Sequence, residues 1–211
     1  MTIRRGYLPA AGHDWLLWTY DPWTRLLGGH AIRSALLAQM ALEPGQRVLD
    51  IGCGTGSLAV LLKQLHAGVS VVGLDPDPKA LALAKRKAQR AGVDVHFDRG
   101  FSDQLPYADA SFDRVSCTLM FSLLPPAEKE ATLREVRRVL RRGCSFHLLD
   151  LVEMPPGGFL VSLLRPSQRS EVCTEEQIVA LMRQAGFGDA RKTGRYAMWL
   201  WPLVSYRALR S

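Results

Sequence analysis

No Cys-x-x-Cys pair occurs in this chain of 211 residues; its four cysteines, Cys53, Cys117, Cys144 and Cys173, are scattered. A structural zinc site needs paired ligand spacing, so no metal is expected. Isolated cysteines suit a reducing compartment, where they pack as small apolar residues. No apolar run reaches the ~20 residues of a membrane span. Behind Arg4 and Arg5, the break at Gly12-His13-Asp14 falls before any apolar core of a secretory signal. A cytoplasmic protein is expected, with peripheral membrane contact left open by the apolar segment 159–164. Lysine is scarce: 21 of the 27 basic residues are arginine. A net charge of +7 permits a nucleic-acid partner. Yet the basic residues gather on two helical stretches, Lys79, Lys85, Arg86, Lys87 and Arg90, and Arg134, Arg137, Arg138, Arg141 and Arg142. That is the pattern of solvated helix faces. No stripe interleaves basic with aromatic residues as a stacking platform does, so nucleic acid is not expected as a partner.

What is present is an alternation of periods. Residues 1–45 predict a helical cap or lid, with Trp15, Leu16, Trp18, Trp23 and Leu26 in its first part, a break at Asp21-Pro22, and a helix over 31–42. From residue 46 to the end, strands predicted at 47–51, 69–74, 93–97, 112–119 and 145–151 alternate with helices at 57–65, 78–91 and 126–140. Gly92 and Gly143 stand as stops. Such alternation means right-handed crossovers and a parallel sheet with helices on both faces, in one compact domain. Residues 152–173 follow as a long loop, then a helix from the cap Thr174 to Ala185, with Glu176 or Gln177 near the capping-box position. Two last strands, 190–195 and 199–209, complete the chain.

The segment Val48-Leu49-Asp50-Ile51-Gly52-Cys53-Gly54-Thr55-Gly56 is the most telling. A buried strand there delivers the backbone into a tight glycine turn that opens a helix, at the strand end where such sheets bind ligands. The dinucleotide fingerprint is G-x-G-x-x-G, whereas this turn is G-x-G-x-G. The carboxylate of Asp50 would repel a pyrophosphate but suits a ligand whose amino acid part carries an ammonium. S-adenosylmethionine is therefore favoured over a nicotinamide dinucleotide.

Five ordered pieces carry a resemblance across about residues 20–207. Besides the glycine turn they are Gly73-Leu74-Asp75-Pro76, Leu105-Pro106 through Ser111-Phe112-Asp113, Glu135 through Arg138-Val139-Leu140, and Ala185-Gly186-Phe187. The chain resembles the class I S-adenosylmethionine-dependent methyltransferases, in the small-molecule subgroup similar to the ubiquinone/menaquinone-biosynthesis methyltransferases. The resemblance implies a Rossmann-like α/β fold with a seven-stranded sheet of order 3-2-1-4-5-7-6, strand seven antiparallel. It implies S-adenosylmethionine as cofactor, S-adenosylhomocysteine as product, and a small-molecule acceptor. Backbone at Gly52, Cys53, Gly54 and Gly56 would approach the cofactor, with Asp50 near its methionine ammonium. Asp75 would accept from the ribose hydroxyls, the alternative being a helix N-cap. Pro76 would pack on adenine, Cys117 and Thr118 would flank the methionine part, and Tyr20 would touch the cofactor from the lid.

Two departures stand out. Relatives carry G-D-A where this chain has Gly100-Phe101-Ser102, so Phe101 replaces an adenine-binding Asp and backbone at Ser102 is left to read the base. Asp98 and Asp103 are the nearby substitutes. Relatives also carry L-H-H-L-P where this chain has Phe121-Ser122-Leu123-Leu124-Pro125. Candidate bases are His13 and Tyr20, with His30 read as a cap or surface residue and His147 as structural. Tyr196, Met198, Trp199 and Trp201 either line an acceptor pocket or fill the core of the last strands. The function expected is methyl transfer to a small, largely apolar metabolite. The alternatives are a non-catalytic S-adenosylmethionine-binding protein, an RNA or protein methyltransferase, and a nicotinamide-dependent oxidoreductase.

Overall fold

Parity along each strand decides which face of the sheet a side chain enters. Val48, Val71, Leu149 and Leu203 join one buried cluster, while their neighbours Leu49, Val72, Leu148 and Val204 join the other. Successive side chains of a strand point to opposite faces, so continuous apolar runs are what a sheet covered on both sides requires. The computed structural model describes residues 29–152, 172–198 and 201–211. His13, Tyr20, segment 159–164 and Trp199 lie outside these residues, as do the side chains of Met198 and Trp201.

The seven strands are β1 (Arg47–Ile51), β2 (Ser70–Asp75), β3 (His96–Arg99), β4 (Phe112–Thr118), β5 (Leu140–Leu151), β6 (Gly188–Met198) and β7 (Trp201–Leu209). They form one sheet of order β3-β2-β1-β4-β5-β7-β6. Pairings from β3 to β5 are parallel, and β7 runs antiparallel to both β5 and β6. On one face lie α1 (Gly29–Met40), α2 (Ser57–Leu65) and α3 (Pro78–Arg90), through Leu36, Leu58, Leu62 and Ala84. On the other lie α4 (Pro126–Val139) and α5 (Glu175–Gln184), through Leu133, Val136, Ile178 and Met182.

Helix ends are cut where the local chemistry requires. Asp77 caps α3 by accepting from the Lys79 N–H at 2.8 Å, so the cap of that helix is Asp77 and not Asp75. Gly92 (φ 65°) closes α3: its N–H donates to Gln89 O, and the Val93 N–H to Ala88 O. This left-handed cap takes up the start of the strand expected at 93–97 and shifts β3 to His96. The same pair of bonds closes α5, with Gly186 (φ 85°) donating to Arg183 O and Phe187 to Met182 O. Helix α1 begins two residues earlier than expected and ends at Met40, where Ala41 turns left-handed (φ 46°). It belongs to the core, with Leu36, Leu37 and Met40 buried against the sheet.

Candidate functional site

Strand β1 ends in a turn that is stitched to the end of β2. Cys53 N–H donates to Leu74 O at 3.0 Å, Gly56 N–H to Cys53 O at 2.8 Å, and Gly54 N–H to Asp75 Oδ2 at 2.8 Å. Gly52, Gly54 and Gly56 all have positive φ (65°, 52° and 74°), which an L side chain resists. Space adds to this at two of them. A Cβ on Gly52 would lie 2.5 Å from Met120, and one on Gly56 would lie 2.8 Å from Ala84 and 3.1 Å from Phe97. Gly56 is thus a packing glycine, pressing the turn onto α3 and β3.

A cleft of about 900 Å³, open mouth included, lies beyond the carboxyl ends of β1, β2 and β4. Its floor and one wall are Gly52, Cys53, Gly54, Asp75 and Pro76; Thr118 lies beside Leu119 and Met120 on the other wall. Ile32, Leu123, Leu149 and Leu203 make much of the remaining lining apolar. Leu119 has φ 57°, uncommon for a non-glycine residue. It ends β4 one residue early, and its N–H still bonds Leu149 O at 2.9 Å.

Of the residues expected at the site, Gly52, Cys53, Gly54, Asp75, Pro76 and Thr118 line this cleft. Gly56 sits behind the turn. Cys117 is buried in the opposite face with Val115 and Leu148, because odd positions of β4 point there. Phe101 and Ser102 are half-buried on the loop after β3 and do not line the cleft; Ser102 Oγ bonds Thr132 Oγ1 at 2.8 Å. Asp98 accepts from the Tyr107 hydroxyl at 3.0 Å and faces His96 Nε2 at 2.9 Å. Tyr196 packs against the α1 side, where its hydroxyl accepts from Gln39 Nε2 at 2.8 Å.

Asp50 is fully buried beneath the cleft, on its face of the sheet. Its Oδ1 accepts from Ser116 Oγ at 2.9 Å, while Oδ2 has no hydrogen-bond partner among the described residues. Burial pushes its carboxyl up to about 7, against the pull of Ser116 and of Arg33. Asp75 is 8% exposed, and burial raises its carboxyl above the ordinary range. Its Oδ1 accepts from the Asp77 N–H at 2.9 Å and its Oδ2 from Gly54. A carboxylate has about four acceptor positions, so two remain for a ligand diol.

Arg33 was not foreseen. It lies half-buried in the lining, on the cleft-facing side of α1 with Ile32 and Gly29. No turn or motif announces it; only the register of α1 against the sheet does. No group of three or more His, Cys, Asp or Glu that could hold a metal occurs among the described residues. No helix among them is long and apolar enough to cross a membrane.

A Rossmann-like sheet in this order, with a glycine turn and a β2 carboxylate at its first crevice, defines the class I methyltransferase architecture. The comparisons agree. Residues 48–143 match the family model described as "Methyltransferase domain". An uncharacterized methyltransferase of Synechocystis is 31% identical over 83% of this chain and 87% of its own length. Demethylmenaquinone methyltransferase of Thermus thermophilus is 39% identical over 66% of this chain and 64% of its own, so this chain spans a little under two thirds of that relative. Phosphoethanolamine N-methyltransferase 2 of Haemonchus contortus, solved with S-adenosyl-L-methionine, shares the fold at a TM-score of 0.79 and 17% identity, covering 94% of this chain and 57% of that one. The chain belongs to the class I S-adenosylmethionine-dependent methyltransferases, and it is an enzyme of that family.

Proposed function

We propose that this chain binds S-adenosylmethionine across the ends of β1 and β2 and transfers its methyl group to a small, largely apolar metabolite. The observation that carries the reading is the chemistry of the turn. The N–H groups of Cys53, Gly54 and Gly56 are already bonded within the fold, and two carboxylates flank them. A pyrophosphate needs free backbone donors and no nearby anion. An adenosyl amino acid instead offers hydroxyls to Asp75 and an ammonium to the unpartnered Oδ2 of Asp50, directly or through water. Arg33, in the lining, faces the ligand's carboxylate. Pro76 supplies an apolar surface for the base.

The cofactor supplies an electrophilic sulfonium methyl. The protein's part is to bind, align and exclude water. Leu119, Met120, Leu123, Leu149 and Leu203 give the acceptor an apolar wall, and alignment supplies much of the rate. Among the described residues lining the cleft there is no histidine, lysine or glutamate to serve as a base. The acceptor then brings an already nucleophilic atom, or His13 or Tyr20 takes the proton. Demethylmenaquinone methyltransferases among the relatives support an apolar acceptor. The site of action proposed is the cytoplasm.

The test is calorimetric titration with S-adenosylhomocysteine and, separately, with NAD. The adenosyl amino acid should bind and NAD should not. Asp75→Ala should weaken binding by roughly 10- to 100-fold, the worth of hydrogen bonds to a charged acceptor. NAD binding in place of S-adenosylhomocysteine would overturn the reading.

A further inference from the structure

Lys129 is 1% exposed, a rare state for a lysine. Its ammonium Nζ lies 3.5 Å from Cys173 Sγ and 6.0 Å from the centre of the Phe121 ring. Neither residue belongs to the cleft. They meet in a second groove, between α4 and α5, walled by Pro126, Glu130, Gln177 and Leu181. Both are held by helix starts. Lys129 stands in the first turn of α4, its N–H on Pro125 O at 3.0 Å, and Cys173 precedes the capping residue Thr174 of α5. Cys173 is half-buried and opens on the groove. A partly exposed thiol beside a basic side chain is the setting in which cysteines meet oxidants. Cys53 and Cys117 differ: both are buried.

We propose that Cys173 and Lys129 form an oxidant-driven cross-link, a sulfenamide made by hydrogen peroxide. The sulfur attacks peroxide, the O–O bond breaks, and Cys173 becomes a sulfenic acid with loss of one water; sulfur loses two electrons and peroxide gains them. The Lys129 nitrogen then displaces the sulfenic oxygen, which leaves as a second water, and an S–N bond forms. The lysine ammonium's extra proton goes to solvent. Sulfenic acids condense with nearby nitrogen in this way, and a thiol reverses the product to amine and disulfide. The bond joins the starts of α4 and α5 beside Phe121, whose 3₁₀ turn (Phe121–Leu123) places Leu123 in the cleft wall.

The experiment treats the full-length protein with a modest excess of hydrogen peroxide, digests with trypsin and reads the peptides by mass spectrometry. A Lys129–Cys173 peptide pair two hydrogens lighter than its parts is expected, with cleavage after Lys129 blocked and dithiothreitol restoring it. Cys144, also half-buried, serves as the internal control and stays outside this product. Lys129→Arg should abolish the pair and divert Cys173 to sulfinic and sulfonic acids. Cys173→Ser should abolish it with Lys129 still in place and cleavable, and thermal melts of both variants confirm folding. Overturning results are Cys173 over-oxidised in the parent protein with Lys129 cleaved normally, Cys173 paired in a disulfide with another cysteine, or Cys173 untouched by peroxide.

Discussion

Asp50 holds a proton in the free protein at a pH where an exposed carboxylate has none. Its folded-state value of about 7 lies above its unfolded value of 3.8. Between those values the folded state keeps the proton that the unfolded state has lost, so stability falls as pH rises through the window and levels off above it. Asp50→Asn removes this slope. Its melting temperature should exceed that of the parent at pH 8 and converge with it towards pH 4, as read by calorimetric scans. A ligand ammonium reverses the preference and favours the ionised acid. Binding of S-adenosylhomocysteine at pH 6 should therefore release a proton, detected by titration in buffers of differing ionisation enthalpy, and Asp50→Asn should abolish the release. At this scale much was legible in the sequence, since Asp50, Asp75 and the glycines stand in one short stretch and at the next strand's end. Arg33 was not, because a cation on a helix declares its partner only when the helix is docked.

The motifs that carry the family likeness act mostly as fasteners between elements. Glu135 Oε2 accepts from the Leu105 N–H at 2.8 Å, and Arg138 bonds Glu135, the Asp109 carboxylate and the carbonyls of Leu105 and Tyr107. The arginine holds the Glu135 carboxyl below the usual range. The two side chains thus clamp loop 105–109 onto α4. Phe112, fully buried, meets Tyr107 edge-on at 5.0 Å under the Arg47 guanidinium. Gly186-Phe187 is a helix cap whose phenylalanine packs on Phe146 at 6.0 Å. Thr174 and Gln177 form a reciprocal capping box at the start of α5. Thr174→Ala should cost about 1 kcal/mol, lowering the melting temperature by about 2–4 °C for a chain of this size, with Thr174→Ser close to the parent. Most helices and strands followed from periodicity within a residue or two. The misses are the late β3, the early end of β4, and β5 and β6, which run past the expected 145–151 and 190–195. β5 starts at Leu140, where α4 passes straight into extended chain, so Gly143 (φ 75°) lies within the strand and is no helix stop. At β3 and β4 a left-handed residue redirects the chain, Gly92 and Leu119. Gly92 signalled its turn; nothing in the character of Leu119 does.

Across the whole molecule, the strand order was legible only through likeness to a family, since periodicity locates strands but leaves their neighbours open. His147, read from its place within a strand as structural, is indeed sealed in the sheet. It is fully buried, Nε2 at 2.9 Å from Ser145 Oγ, and burial with nearby Arg114 and Arg207 pulls its pKa down to about 3. Below pH 6.5 the unfolded chain gains a proton that the folded protein refuses. This contribution to stability is fully present above pH 6.5 and drains away as pH falls towards 3. His147→Gln should therefore show a smaller drop in melting temperature between pH 6.5 and pH 4.5 than the parent, measured in matched scans.

The placing of β7 between β5 and β6 bears on how the chain is born. While a ribosome is still making residues 201–209, β6 has nothing to pair with and β5 shows a bare rim of unmet hydrogen-bonding groups. Such a rim invites pairing with strangers. Residues 201–209 are the keystone of the sheet, so a nascent chain stalled just short of them should be a customer for chaperones.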